Sequence, residues 1–199
     1  MIPGNATPPA LILASTSRYR AELLARLGVP FVAAAPDCDE DAYKSRGISP
    51  QELAETLALL KAESLLAAHP DAGILGGDQV ASIDDEILSK PGSEAAACAQ
   101  LARLAGRTHT LITAVALLSR GRILRHTDVT RLTMRPLSAE QIARYVVADR
   151  PVDCGGSYRL ESLGIALFSR IESEDHTAII GLPLLALTAM LGEIGIVIP

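Results

Sequence analysis

Short apolar runs alternate along the chain with longer stretches in which leucine and alanine recur every three or four positions. Ala10 to Leu13 is a run of the kind that makes a buried strand. The small hydroxyl residues Ser15, Thr16 and Ser17 follow, and a helical pattern then opens with Leu23, Leu24 and Leu27 on one face. Gly28 and Pro30 end it. Phe31 to Ala35 predicts a second short strand, running into an acidic loop over Pro36–Asp41. Ser49 and Glu52 have capping-box spacing and predict a helix from Pro50 to about Ala68. Leu53, Leu57 and Leu60 form its inward stripe, and Lys61 falls one residue beyond that stripe.

Gly73–Asp78 predicts a short strand ending in an acid, followed by Gln79–Ile83, a turn at Asp84-Asp85 and a hairpin arm over Glu86–Leu88. Ser93 caps a helix whose Ala97, Leu101 and Leu104 face inward, and Gly106 closes it. Thr108–Leu118 and Ile123–Thr133 read as an antiparallel pair across Ser119–Arg122. Ser138 and Gln141 repeat the capping-box spacing for a helix to about Ala148. Asp153–Tyr158 is a flexible entry to further strand, ending at Gly164–Ile171. The last helix spans Pro183–Leu191, with proline in its first turn. Strands and helices interleave throughout, which predicts an α/β fold: a mixed twisted sheet with flanking helices around a central cleft. No shift in composition marks a linker.

At 199 residues the chain can build one sizeable core, and 49% hydrophobic against 21% charged residues excludes a disordered chain. A net charge of −5 with 3% aromatics and no tryptophan lacks the basic stripe and stacking rings of a nucleic-acid binder. A small anionic ligand held by a few local cations fits this balance. Cys38, Cys98 and Cys154 are far apart, without a C-x-x-C, and read as reduced thiols. The N-terminus has no apolar signal core. The most apolar segment, Ala178–Leu191, is interrupted by Gly181 and Pro183 and is shorter than the roughly 20 residues of a membrane span. The expected location is the cytoplasm, with no membrane partner.

The strand that turns through Ser15-Thr16-Ser17 into a helix points backbone N–H groups at the strand's carboxyl end, where a phosphate can bind. Arg18 and Arg20 at that helix start oppose the macrodipole and suggest an anionic partner. The plainer reading is a helix N-cap. Asp78 ends an apolar strand after Gly76-Gly77, which would let a ligand approach the backbone, although an acid at a turn reads the same way. Asp39 and Glu40 could offer oxygens to a hard divalent cation, or simply form a solvated loop. Lys61 alone reads as a snorkelling surface lysine, and Lys90 is equally plain. His69, His109, His126 and His176 show no metal-ligand spacing, and no G-x-S-x-G, P-loop or G-x-G-x-x-G occurs. Together these residues form an acid-and-cation set suited to a phosphorylated ligand.

Taken in order, the segments Leu13-Ala-Ser-Thr-Ser17 with Arg20 and Glu22-Leu-Leu24, Asp39-Glu40, Lys61-Ala62, Gly77-Asp-Gln-Val80, Lys90-Pro91, Gly155-Gly-Ser-Tyr158 and Gly181-Leu-Pro-Leu184 resemble the Maf family of nucleotide pyrophosphatases. The likeness spans nearly the whole chain. It implies one catalytic domain over residues 10–196, with two lobes around a nucleotide-binding cleft, and an N-terminal extension over residues 1–9. It also implies hydrolysis of a nucleoside triphosphate between the α- and β-phosphates, with a divalent metal, Mg²⁺ or Mn²⁺. By the same resemblance Ser15, Arg20, Lys61 and Lys90 hold phosphates, Glu40 and Asp78 bind the metal, and Asp78 accepts the proton of the attacking water. A homodimer is a further implication.

Three positions follow the base. The dTTP and UTP branch has Arg where this chain has Tyr19, Thr at Gln79 and Gln at Glu161. The combination here resembles the 7-methyl-GTP branch, which usually carries Trp, Gln and Glu. A cationic methylated guanine gains about 0.5–2 kcal/mol on an aromatic face, and a carboxylate at Glu161 suits its N1–H and N2–H₂ donors. The chain departs from the pattern at Arg18, where the family has Pro, at Ala21, at Ser89 and at Tyr19 itself. Alternatives are dTTP/UTP or broad non-standard nucleotide hydrolysis, and a non-catalytic nucleotide-binding regulator of septum formation.

Overall fold

A computed structural model describes residues 8–198. The expected N-terminal extension therefore lies, through residue 7, outside the described residues. One mixed sheet organises the chain. It is built from β1 (Leu11–Ala14), β2 (Phe31–Ala34), β3 (Gly73–Ile83), β4 (Glu86–Leu88), β5 (Thr108–Ser119), β6 (Arg122–Met134) and β7 (Phe168–Glu172), in the order β2-β1-β3-β5-β6-β7 with β4 on β3. β1 is parallel to β2 and β3, and every other pairing is antiparallel. The helices are α1 (Arg18–Ala25), α2 (Glu40–Lys44), α3 (Pro50–Glu63), α4 (Glu94–Leu104), α5 (Ala139–Asp149) and α6 (Leu184–Glu193).

Strand alternation divides the core. In β3 and β5 the even positions Ile74, Val80, Ile112, Ala114, Ala116 and Leu118 pack with Leu53, Leu57, Ala58 and Ala62 of α3 or the residues just after it. The odd positions face the other way. Leu75, Val115 and Leu117 meet Leu23, Leu24, Leu187 and Leu191 of α1 and α6. Further along, Ala81, Ile83 and Leu111 meet Leu101, Leu104, Ile142 and Val146 of α4 and α5. On the odd face a gap therefore separates one helix pair from the other.

Several sequence expectations shift. β3 is one continuous strand, so Asp78 lies mid-strand rather than at a strand end. Gly73–Ile83 is buried on both faces apart from half-buried Gln79, and the Gly76-Gly77 pair does not interrupt it. The expected acidic loop closes with α2, Asp39 being its N-cap through the Ala42 amide at 3.1 Å. α3 ends at Glu63 rather than Ala68, and the backbone continues through turns to His69. Residues 163–167 form a 3₁₀ turn, leaving only Phe168–Glu172 as strand, and Pro183 is the N-cap of α6 rather than part of its first turn. The turns at Asp84-Asp85 and Arg120-Gly121 take positive φ at both central residues, as a tight hairpin turn requires. Ser138 and Gln141 complete their reciprocal capping box.

His109 is buried at 2% exposure between Tyr158 and Phe168, its Nε2 2.9 Å from Tyr158 Oη and its Nδ1 without a partner. Burial pulls its pKa down to about 4. Below the usual value near 6.5 the unfolded chain takes a proton that the folded chain refuses, so stability is full above pH 6.5 and falls as pH drops toward 4. The loss from this group is on the order of 3 kcal/mol. Urea denaturation at pH 7.5 and pH 4.5 measures it, and His109→Phe should flatten the dependence within that window.

Candidate active site

β1 stops at Ala14, opposite Gly76 of β3, while β3 continues and pairs with β4 only from Ala81. Residues 77–80 thus leave one strand edge open beyond the carboxyl end of β1, a switch point where α/β sheets receive ligands. A cleft of about 780 Å³ opens there.

Alternation sends Asp78 and Gln79 to opposite faces of the strand. Asp78, 7% exposed, faces α3 and accepts a 2.6 Å hydrogen bond from Lys61 Nζ, which also lies 2.8 Å from Glu40 Oε1. Lys61 is itself only 6% exposed, so the surface reading of this lysine fails. It continues the stripe Leu53–Leu57–Lys61 at four-residue spacing, which a stripe drawn through Leu60 misses. The close approach of α3 depends on Gly76, since a Cβ there would strike the Ala58 carbonyl and sit 2.8 Å from the Ala62 amide. That space belongs to α3, and beside Gly77 a Cβ would lie 3.4 Å from Leu182 and 3.5 Å from Arg20 Nε. Gly76 therefore serves the packing of α3, whereas at Gly77 a Cβ would meet only ordinary van der Waals contacts.

Glu40 opens α2 with its side chain 38% exposed. Burial opposes its ionisation, but Lys61 and Lys44 outweigh that and hold it below the usual carboxylate range. Lys44, 3.6 Å from Glu40 and 2.9 Å from Asp41, was not anticipated from sequence. Arg20 is set by its Nε donating to the Gly181 carbonyl at 3.1 Å. Burial lowers its pKa from the ordinary guanidinium value, opposed by the charges of Asp78 and Glu40. Ser15 is buried and accepts from the Ser17 amide at 3.1 Å, while Ser17 caps α1 through the Arg20 amide. The plain N-cap reading therefore belongs to Ser17 and leaves Ser15 lining the cleft. Lys90 is exposed on the rim.

Gln79 sits across from Thr113 and spends its amide nitrogen on the Ala178 carbonyl (2.9 Å), the Ile179 carbonyl (3.1 Å) and Thr113 Oγ1 (2.9 Å). Carbonyls only accept, so the nitrogen must be the inward end. The amide oxygen is left as an acceptor for whatever enters the cleft. Glu161 is exposed on the same cleft.

Tyr19 Oη receives Arg18 Nη2 at 2.8 Å and Arg159 Nη1 at 3.4 Å, and the Arg18 guanidinium lies 4.7 Å from the ring centroid. The two departures at positions 18 and 19 are therefore one unit, because a tyrosine offers the acceptor that an indole lacks. Arg159 also was not anticipated. Its only sequence signal is a cation between the Gly155–Tyr158 segment and Glu161.

Against known proteins, the Maf-like protein family matches residues 10–194. The 7-methyl-GTP pyrophosphatase of Bdellovibrio bacteriovorus is 48% identical over 181 residues, covering 91% of this chain and 95% of that one. Those of Xanthomonas axonopodis pv. citri and Bordetella pertussis are 45% and 47% identical over 191 residues, each covering 96% of this chain and 100% and 95% of their own length.

Proposed function

The chain belongs to the Maf family, and from that premise we propose that it hydrolyses 7-methyl-GTP between the α- and β-phosphates, releasing 7-methyl-GMP and pyrophosphate. The observation that carries the reading is the convergence of Lys61 on Asp78 and Glu40 at the open edge of β3, with Arg20 close by. In this reading Asp78 orients the attacking water and takes its proton. Charge developing on the phosphoryl oxygens meets Lys61, Lys90 and Arg20, together with Ser15 and the N–H groups of the first turn of α1.

A divalent cation, Mg²⁺ or Mn²⁺, belongs to the proposal. Among the described residues no three acidic, histidine or cysteine side chains gather as a cage. Two carboxylates, Glu40 and Asp78, suit a hard cation that keeps waters and draws further oxygens from the triphosphate. When bound, it would supply Lewis-acid stabilisation of phosphoryl charge.

For the base, Gln79 Oε1 and the Glu161 carboxylate are both acceptors. That pair complements the N1–H and N2–H₂ edge of guanine better than the single ring donor of uracil or thymine. Tyr19 would meet the cationic ring. No helix among the described residues is long and apolar enough to cross a membrane; the location belonging to the proposal is the cytoplasm, where the enzyme would act on a free nucleotide. The test is a panel of 7-methyl-GTP, GTP, dTTP and UTP with Mn²⁺ or Mg²⁺, scored by pyrophosphate release. The highest kcat/KM should fall on 7-methyl-GTP, and a preference for UTP or dTTP would overturn the base assignment.

A further inference from the structure

Arg159 is held from one side and reaches toward the other across the cleft. Its Nη2 lies 3.4 Å from Asp149 Oδ1, its Nη1 donates to Tyr19 Oη at 3.4 Å, and its Nε is sealed from solvent with no partner. Asp149, at the end of α5, is a fixed anchor. Its side chain is 4% exposed and accepts from Tyr145 Oη at 2.8 Å and Ser162 Oγ at 2.6 Å. Tyr145 Oη in turn accepts from the Arg159 backbone amide at 3.1 Å, so backbone and side chain of Arg159 are tied to the same site. A bulkier residue at Gly164 would collide with the Arg159 carbonyl, which the Gly164 amide meets at 2.9 Å. The chain thus wraps Arg159 tightly, while Tyr19 stands on the opening turn of α1, 140 residues away in sequence.

We propose that Arg159 is a positioning residue for base specificity, carrying the fixed geometry of Asp149 across the cleft to Tyr19 and so setting the plane of the ring that meets the base. This rests on the reading that Tyr19 contacts the base of the nucleotide. A planar fork presents separate N–H groups to the acid and to the phenol at once, in a fixed geometry that the point charge of a lysine ammonium does not reproduce. Unlike Arg18, which is exposed and on the same turn as Tyr19, Arg159 ties the ring to a different element.

The test compares Arg159→Met, Arg159→Lys, Tyr19→Phe and the double variant Tyr19→Phe/Arg159→Met on 7-methyl-GTP. Inorganic tripolyphosphate serves as a competitive inhibitor without a base. Each single variant should raise KM about three- to tenfold, with kcat lowered by no more than about twofold. The inhibition constant of tripolyphosphate should not move. In the Tyr19→Phe background Arg159→Met should add nothing, because the residue acts through the hydroxyl. Additive effects, equal losses for tripolyphosphate, or a wild-type KM in Arg159→Lys would overturn the proposal. Asp149 keeps its Tyr145 and Ser162 donors in every variant, and Arg159→Lys keeps a cation beside it. If the wild-type enzyme prefers another triphosphate, the substrate reading fails. The same cycle run on that triphosphate still tests the coupling.

Discussion

Asp78→Asn should fold and retain nucleotide binding but turn over about 10²–10⁴-fold more slowly than wild type. Asparagine keeps the shape of the side chain and still offers an oxygen to Lys61 Nζ, now 2.6 Å from Asp78 Oδ1. It cannot take a proton from water. Circular dichroism and kcat with saturating 7-methyl-GTP read the two halves of this expectation separately. A variant within tenfold of the wild-type rate would remove Asp78 from the chemistry. A variant that unfolds would show instead that the acid is mainly a structural partner of Lys61.

Lys61→Met has the second large effect, and it acts on stability as well as rate. The ammonium is the close cation between two carboxylates, one of them 10% exposed and the other 38%. Deleting it leaves Asp78 buried without its ion-pair partner, a change that costs about 3–5 kcal/mol when nothing compensates. Arg20 still acts on Asp78 electrostatically and Lys44 still pairs with Glu40, so the expected loss falls at or just below the bottom of that range, about 2–3 kcal/mol. Urea denaturation at pH 7.5 measures it. kcat/KM should fall about 10²-fold or more, because a charge proposed to meet the phosphates is gone. Unchanged stability would mean that the Asp78–Lys61–Glu40 contact is solvated in a way its burial does not suggest.

Much of this arrangement was legible in the chain, for identifiable reasons. Helix periodicity with capping residues located α1, α4 and α5, and the paired runs around Arg120-Gly121 located β5 and β6 within a residue or two. The ordered motifs brought out Ser15, Arg20, Glu40, Lys61, Asp78 and Lys90, all of which line one cleft. What local reading missed depends on three-dimensional context. Lys61 looked exposed because the stripe was drawn through Leu60, and only the contact of α3 with Gly76 decides which row faces the sheet. Asp78 looked terminal because it is an acid closing the apolar run that begins at Gly73. Here Gly76 admits α3 against a strand that continues unbroken. The opposite orientation of Gln79 follows from strand alternation once β3 is known to be continuous. Arg159 could not be found this way, since its partners Asp149 and Tyr19 reach it through tertiary folding alone.

The most direct measurement is ³¹P NMR of the products formed from 7-methyl-GTP by the enzyme with Mg²⁺ or with Mn²⁺, the metal being chelated before the spectrum is taken. Attack between the α- and β-phosphates yields 7-methyl-GMP and pyrophosphate in equal amounts, with no orthophosphate. The appearance of 7-methyl-GDP and orthophosphate, or no turnover at all, would contradict the account.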